Sequence, residues 1–202
     1  MVYLTLAAAG SGFIQLNYFV KSINKGKSNG VSFTFDDGPD AEITPQILDV
    51  LATENVKATF FIIGHKIEKN KELLLRIYNE GHTIGNHSHS HTKKMTLFST
   101  SKLKKDITEC SSYIEEVIHQ KPLFFRPPYG VTTPRYDRAL SQLKMKSIGW
   151  SLRSLDTVEK DKNVLYKKII NKISPGSIVL FHDTQNVTLS ALKEIIQYCK
   201  KS

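Results

Sequence analysis

The sequence predicts an α/β protein built on a parallel sheet, and three observations carry that expectation. Short apolar runs rich in β-branched and aromatic residues alternate with helix-length amphipathic stretches along most of the chain. Five of the apolar runs lead into residues able to do chemistry: Asp36-Asp37, the His87 to His91 cluster, Arg126, the stretch from Trp150 to Thr157, and His182. Reacting groups and ligands collect at the carboxyl ends of parallel strands, so five such endings in one chain are hard to ascribe to packing. Repeated strand–helix units imply right-handed crossovers. They give six strands, or seven with an N-terminal one, and the five endings meet only if the sheet curls.

The first 20 residues carry no charged side chain. Val2 through Val20 is long enough for a membrane span, yet Thr5, Ser11, Gln15 and Asn17 interrupt it. No Lys or Arg precedes it, as a signal peptide requires. From Phe13 the pattern alternates, with Ile14, Leu16, Tyr18 and Val20 on one face, the period of a strand. Ser22 to Gly30 is a polar linker. The expected organisation is therefore residues 1–30 as an apolar segment plus linker (a membrane or export segment, or a first strand), then residues 31–202 as the catalytic domain.

Val31 to Phe35 is the next strand. Thr44-Pro45 is expected to cap and open a helix through Thr53. Ala58 to Ile63 is a β-branched and aromatic strand. Ile67 to Glu80 is a helix closed by Gly81. His82 to Gly85 is a short strand, and Leu103 to His119 a helix. Leu123 to Phe125, Ser147 to Trp150 and Ser177 to Phe181 are strands, separated or followed by helices over Arg135 to Leu143, Val164 to Ile173 and Leu189 to Cys199.

A chain of 202 residues, 40% hydrophobic and 23% charged, is an ordinary soluble composition with room for one sizeable core. Its net charge of +9 is compatible with an anionic polymer or envelope. No sustained basic tract with interleaved aromatics accompanies it, which argues against nucleic acid. Cys110 and Cys199 make no disulfide framework.

Asp36 and Asp37 sit where a strand gives way to Gly38-Pro39. Neighbours on a strand point to opposite faces, so one carboxylate can bind while the other reacts. Their repulsion calls for a cation or a shared proton. His87, His89 and His91 fall within five residues. On a helical turn His87 and His91 share a face and His89 points away; in an extended segment all three share a face. Either arrangement points to a metal. Arg126 offers a planar fork suited to a carboxylate, and Pro127-Pro128 stiffens the backbone that presents Tyr129.

In this set and order of motifs the chain resembles the polysaccharide deacetylase family, the NodB-homology domain of carbohydrate esterase family 4, over about residues 31 to 199. The resemblance implies an irregular, incompletely closed (β/α)7 barrel. It implies Asp36 as general base, and Asp37, His87 and His91 as ligands of a divalent metal, Zn2+ first, with Co2+, Ni2+ or Mn2+ as alternatives. Arg126 would orient Asp36, and the Tyr129 N–H would bind the oxyanion. His182 would be the general acid, tuned by Asp156. Pro128, Tyr129, Leu180 and Trp150 would line the substrate pocket. The fourth motif departs from the family pattern: Arg153 stands for an Asp and Thr157 for a Trp.

The implied reaction is removal of N-acetyl groups from N-acetylglucosamine units of a polysaccharide, peptidoglycan or chitin-like. The alternatives are an acetyl-ester hydrolase on xylan-type glycan and an inactive carbohydrate-binding protein. Binding alone needs no acid–base pair, which weighs against the last. Such substrates place the protein in the cell envelope, outside the cytoplasm. Lys21, Lys25 and Lys27 after the apolar segment point the other way, to a cytoplasmic domain.

Overall fold

The computed structural model describes residues 9–201. Among them, eight strands form one sheet: β1 (Ser22–Ile23), β2 (Ser32–Gly38), β3 (Thr59–Ile62), β4 (Thr83–Asn86), β5 (Phe124–Phe125), β6 (Lys146–Ile148), β7 (Leu152–Arg153) and β8 (Ile178–His182). The order across the sheet is β1-β6-β5-β4-β3-β2-β8-β7. Every strand pairing is parallel. The sheet curls into an incomplete barrel with helices around it. The main helices are α1 (Ile43–Thr53), α2 (Gly64–Ile67), α3 (Lys71–Asn79), α4 (Thr100–Ile118), α5 (Pro134–Leu143), α6 (Lys162–Ile170) and α7 (Asn186–Lys201).

Strand alternation divides the inside from the outside. Phe33 and Phe35 on β2 point outward into the main core, which also takes Ile47, Leu48 and Leu51 of α1 and Leu192, Ile195 and Ile196 of α7. Phe35 lies between Phe60 and Phe181, with centroids at 5.0 and 5.9 Å. Each such fully buried side chain contributes roughly 1.5–3 kcal/mol. Thr34 and Asp36, on the other face of β2, point into the barrel, where both hydrogen-bond to Arg126. The outer face holds the fold together and the inner face is left for polar chemistry.

The N-terminal region departs from expectation. Residues 1–8 lie outside the described residues, so the apolar stretch from Val2 is only partly placed. No helix among the described residues is long and apolar enough to cross a membrane. No strand forms over Phe13 to Val20. Ile14–Leu16 is a short 3-10 turn, ended by Asn17 in the left-handed conformation. Ile14 and Val20 are buried, but Leu16 and Tyr18 are exposed. The turn at Asn17 breaks the period-2 pattern, and the Asn17 Oδ1 accepts from the Ser22 N–H (2.8 Å) as the chain enters β1. The edge strand thus lies within the expected linker. Immediately after it, Lys25 bridges to Ser177 before β8, bringing the β1 edge of the sheet up to β8, the strand next to its other edge. Ile14 packs with Trp150, Ile178 and Leu180 inside the barrel.

Other elements shift by a few residues. Helix α1 is capped by Asp40, whose Oδ1 accepts from the N–H groups of Glu42 and Ile43, so Thr44 and Pro45 fall inside its first turn. The expected single helix from Ile67 divides into α2, a 3-10 turn at Glu68–Asn70, and α3. The strand expected at Ser147 to Trp150 ends at Ile148, and two-residue β7 follows, which raises the count to eight.

Candidate active site

The strand ends converge on a cavity of about 260 Å³ lined by Asp36, Asp37, His87, His91, Tyr129, Gly130, Trp150, Arg153, Thr157, Leu180 and His182. Asp36 and Asp37 do not point to opposite faces. The β2–β3 register slips between Asp36 and Gly38, and Asp37 has φ 75°. This bulge re-aims Asp37 so that both carboxylates enter one cavity. The buried Asp183 leaves no room for a side chain at position 38: a Cβ there would run into its carboxylate.

Asp36 is 3% exposed and Arg126 is fully buried. Arg126 Nη1 donates to Asp36 Oδ1 (2.7 Å) and to Thr34 Oγ1 (2.8 Å). Its Nε donates to the Ile148 carbonyl (3.2 Å) and its Nη2 to that of Gly149 (2.7 Å). The guanidinium also lies over the Phe61 ring, 4.2 Å from the centroid. A cation this buried is stable only with such full pairing. One oxygen of Asp36 is thereby pinned and the other left for the cavity.

The histidine cluster is neither helical nor extended. It is a loop after β4 in which Ser88 and His91 both have positive φ. Ser88 Oγ accepts from His91 N–H (3.1 Å), and Asn86 Oδ1 accepts from Ser88 N–H (2.7 Å). Asp106 of α4 holds the loop by accepting from the N–H groups of His89 and Ser90. The His87 and His91 rings come to 4.8 Å. His89 turns away, stacked on Tyr113 and facing Glu109.

His87 Nδ1–H donates to the Arg126 carbonyl (2.8 Å). That fixes the tautomer and turns Nε2 toward Asp37 Oδ1 at 3.5 Å. His91 Nε2 lies 3.2 Å from the same oxygen, yet it is buried and makes no hydrogen bond. Burial first, then the charge of His87, pushes His91 down to about 4. It therefore keeps a free lone pair at neutral pH. Asp37 is pushed up by burial, but His87 and His91 outweigh this and hold it well below the usual carboxylate range. One ligand atom from each of Asp37, His87 and His91 lies within 4.8 Å of the others. Two imidazole nitrogens and a carboxylate, one nitrogen an orphan, fit a divalent metal.

Beside Asp36, His182 is its register partner on the adjacent strand β8. His182 Nδ1–H donates to Asp156 Oδ1 (2.7 Å), and its backbone N–H to Asp156 Oδ2 (2.7 Å). Thr188 Oγ1 of α7 donates to the same Oδ2 (2.5 Å). Burial pulls His182 down, but the Asp156 hydrogen bond and charge, with Asp36 and Asp37 beyond, raise it to about 9. Asp156, fully buried, is held below its ordinary value because His182 and Thr188 outweigh its burial.

Trp150 and Leu180 line the cavity. Tyr129 stands at its mouth with φ 60°, its ring 4.9 Å from His91 and its hydroxyl donating to the His91 carbonyl (3.2 Å). Pro128, expected at the substrate, is buried and does not line the cavity. It supports the turn that presents Tyr129.

Residues 23–148 match the sequence profile of the polysaccharide deacetylase family. The chain belongs to that family. A peptidoglycan-N-acetylglucosamine deacetylase of Bacillus cereus is 34% identical over 174 residues, 84% of this chain and 63% of its own length. The Bacillus subtilis peptidoglycan-N-acetylmuramic acid deacetylase PdaC is 34% identical over 167 residues, 83% of this chain and 35% of its own. The chain thus spans less than two thirds of these relatives. The structure of a carbohydrate esterase family 4 pseudoenzyme of Bacillus anthracis superposes with a TM-score of 0.84 at 28% identity, covering 90% of this chain and 64% of that one. A polysaccharide deacetylase fold can therefore be inactive, so activity depends on individual side chains.

Proposed function

We propose that this chain is a metal-dependent polysaccharide N-deacetylase that hydrolyses the acetamide of amino-sugar units in peptidoglycan-type glycan, with chitin-like polymers second. The observation that carries the proposal is the presence in one cavity of a carboxylate locked by a buried Arg and an imidazole kept protonated by a buried Asp. A binding protein has no use for an oriented base and a protonated acid in one cavity.

Asp37, His87 and His91 would hold the metal. When bound, it supplies Lewis acidity toward the acetyl carbonyl and lowers the pKa of an attacking water. Asp36 takes the proton as the water oxygen adds to the carbonyl carbon. Arg126 holds the carboxylate oriented for that transfer. The Tyr129 N–H, presented by the Pro127-Pro128 turn, donates to the developing oxyanion. His182, with Nδ1 engaged by Asp156, gives its Nε2 proton to the nitrogen as the C–N bond breaks. Acetate and a free amine leave. Trp150 and Leu180 form apolar walls for the acetyl methyl, and Thr157 leaves the wall beside them open. The substrates named for the relatives lie in the cell wall, which supports an extracytoplasmic site of action.

The test is acetate release from peptidoglycan glycan, chitin oligomers and acetyl-xylan by purified, metal-loaded protein. The proposal expects release from the N-acetylated glycans. Release from acetyl-xylan alone transfers the site to ester chemistry, and release from none overturns the catalytic reading.

A further inference from the structure

The charged side chains that line the cavity face opposite charges, with one exception. Asp36 has Arg126 at 2.7 Å, His182 has Asp156 at 2.7 Å, and Asp37 has His87 Nε2 at 3.5 Å. Arg153 lines the same cavity and is exposed. Its guanidinium has no hydrogen bond, ion pair or ring contact among the described residues. It sits on β7 in register with Leu180 of β8, which itself lines the cavity, and β7 leads into Asp156. Its backbone is therefore as fixed as that of the site. Thr157 lines the same cavity and is too short to act as a partner for a guanidinium at a distance.

A neutral acetamide gives such a cation nothing to do. The rest of the site already balances its own charges, and an Arg fork held at a cavity wall with no protein partner matches a carboxylate. We propose that Arg153 is a specificity-determining residue that binds a carboxylate carried by the glycan beside the reacting acetamide, so that the protein selects anionic over neutral amino-sugar polymers. This rests on the deacetylase reading above and deepens it. Two sources in peptidoglycan-type glycan offer that group: the lactyl ether carboxylate of a muramic acid unit without its peptide, and the carboxylates of an attached stem peptide.

The test compares four defined glycans: peptide-free strands of alternating N-acetylglucosamine and N-acetylmuramic acid, the same strands with the carboxyls reduced to alcohols, strands bearing stem peptides on lactyl amides, and chitotetraose. Calorimetric binding and kcat/KM for acetate release are measured with wild type, Arg153→Gln and Arg153→Lys, at low and high salt. The expected result is tighter binding of a carboxylated strand over its reduced counterpart by about tenfold or more, the scale of a charge-assisted hydrogen bond. Arg153→Gln erases that ratio, Arg153→Lys keeps part of it, and salt weakens it. A preference that follows the peptide-free strands assigns the lactyl carboxylate; one that follows the peptide-bearing strands assigns the peptide. Equal binding of carboxylated and reduced strands by wild type, or a ratio that survives in Arg153→Gln, overturns the proposal. Carboxylate-selective binding without acetate release from any strand leaves it standing and removes the deacetylase reading instead.

Discussion

Replacing Asp156 by Asn removes the charge that keeps His182 protonated. In the intact site, against burial, the Asp156 hydrogen bond and charge, with Asp36 and Asp37 beyond, lift His182 from 6.5 to about 9, a preference of about 3 kcal/mol for the imidazolium. Without the carboxylate only burial remains as the dominant influence, and it acts downward. The amide makes this worse: its oxygen is claimed by the His182 N–H and Thr188, which now share Oδ2, so its NH2 faces Nδ1. The His182 pKa should fall to 6.5 or below. At about pH 8 the protonated fraction then drops by about 30-fold, while near pH 6 the loss is less than about twofold. The sign follows from the role. An acid works only while protonated, so wild-type activity is lost as pH rises through about 9, and the variant loses it at least two pH units or so lower. Acetate release followed from about pH 5 to 10, with an imidazole NMR titration as a second readout, measures both. An alkaline limb that stays near 9 in Asp156→Asn would refute the assignment of His182 as the acid.

The remaining expectations are more direct. Chelation should abolish acetate release and added divalent metal should restore it; His91→Ala should lose metal measured by elemental analysis, while His89→Ala, whose ring faces Glu109, should retain it. Asp36→Asn should keep its metal, because Asp37 is the ligand, and lose roughly 10²-fold or more in rate; near-normal turnover would assign the base elsewhere. Gly38→Ala should cost about 1–3 kcal/mol in a denaturant melt, since the new methyl meets the buried Asp183 carboxylate, and an unchanged midpoint would show that this wall yields. The His182–Asp156 pair should also stabilise the fold, fully below about pH 6.5 and progressively less as pH rises through about 9, because a raised folded-state pKa favours the fold only while the proton is bound.

The alternation of Phe33 and Phe35 with Thr34 and Asp36 is visible in the sequence, and it fixes which face of β2 meets the helices and which meets the cavity. The βα rhythm likewise gives the parallel sheet, because each apolar run is long enough to register on its own. What was hidden depends on partners distant in sequence or on single dihedrals. The edge strand Ser22–Ile23 is two residues in a polar stretch and is a strand only because β6 lies beside it. The bulge that turns Asp37 toward Asp36 is one backbone angle. Asp106 and Thr188 carry no local signal, since each acts on a loop or carboxylate brought to it by a helix. Pro128 resembles a pocket residue by position alone, and the turn it stiffens faces it inward. Thr34, two residues before Asp36 on the same face, was the one supporting residue that strand periodicity could have found.

The most direct measurement of the central claim is the ratio of acetate released to primary amine formed on a peptidoglycan-type glycan by metal-loaded protein, run beside Asp36→Asn of equal metal content. Amide hydrolysis by this cavity predicts one amine for each acetate in wild type and near-zero values of both in the variant. Acetate without amine, or equal turnover by the two proteins, would contradict it.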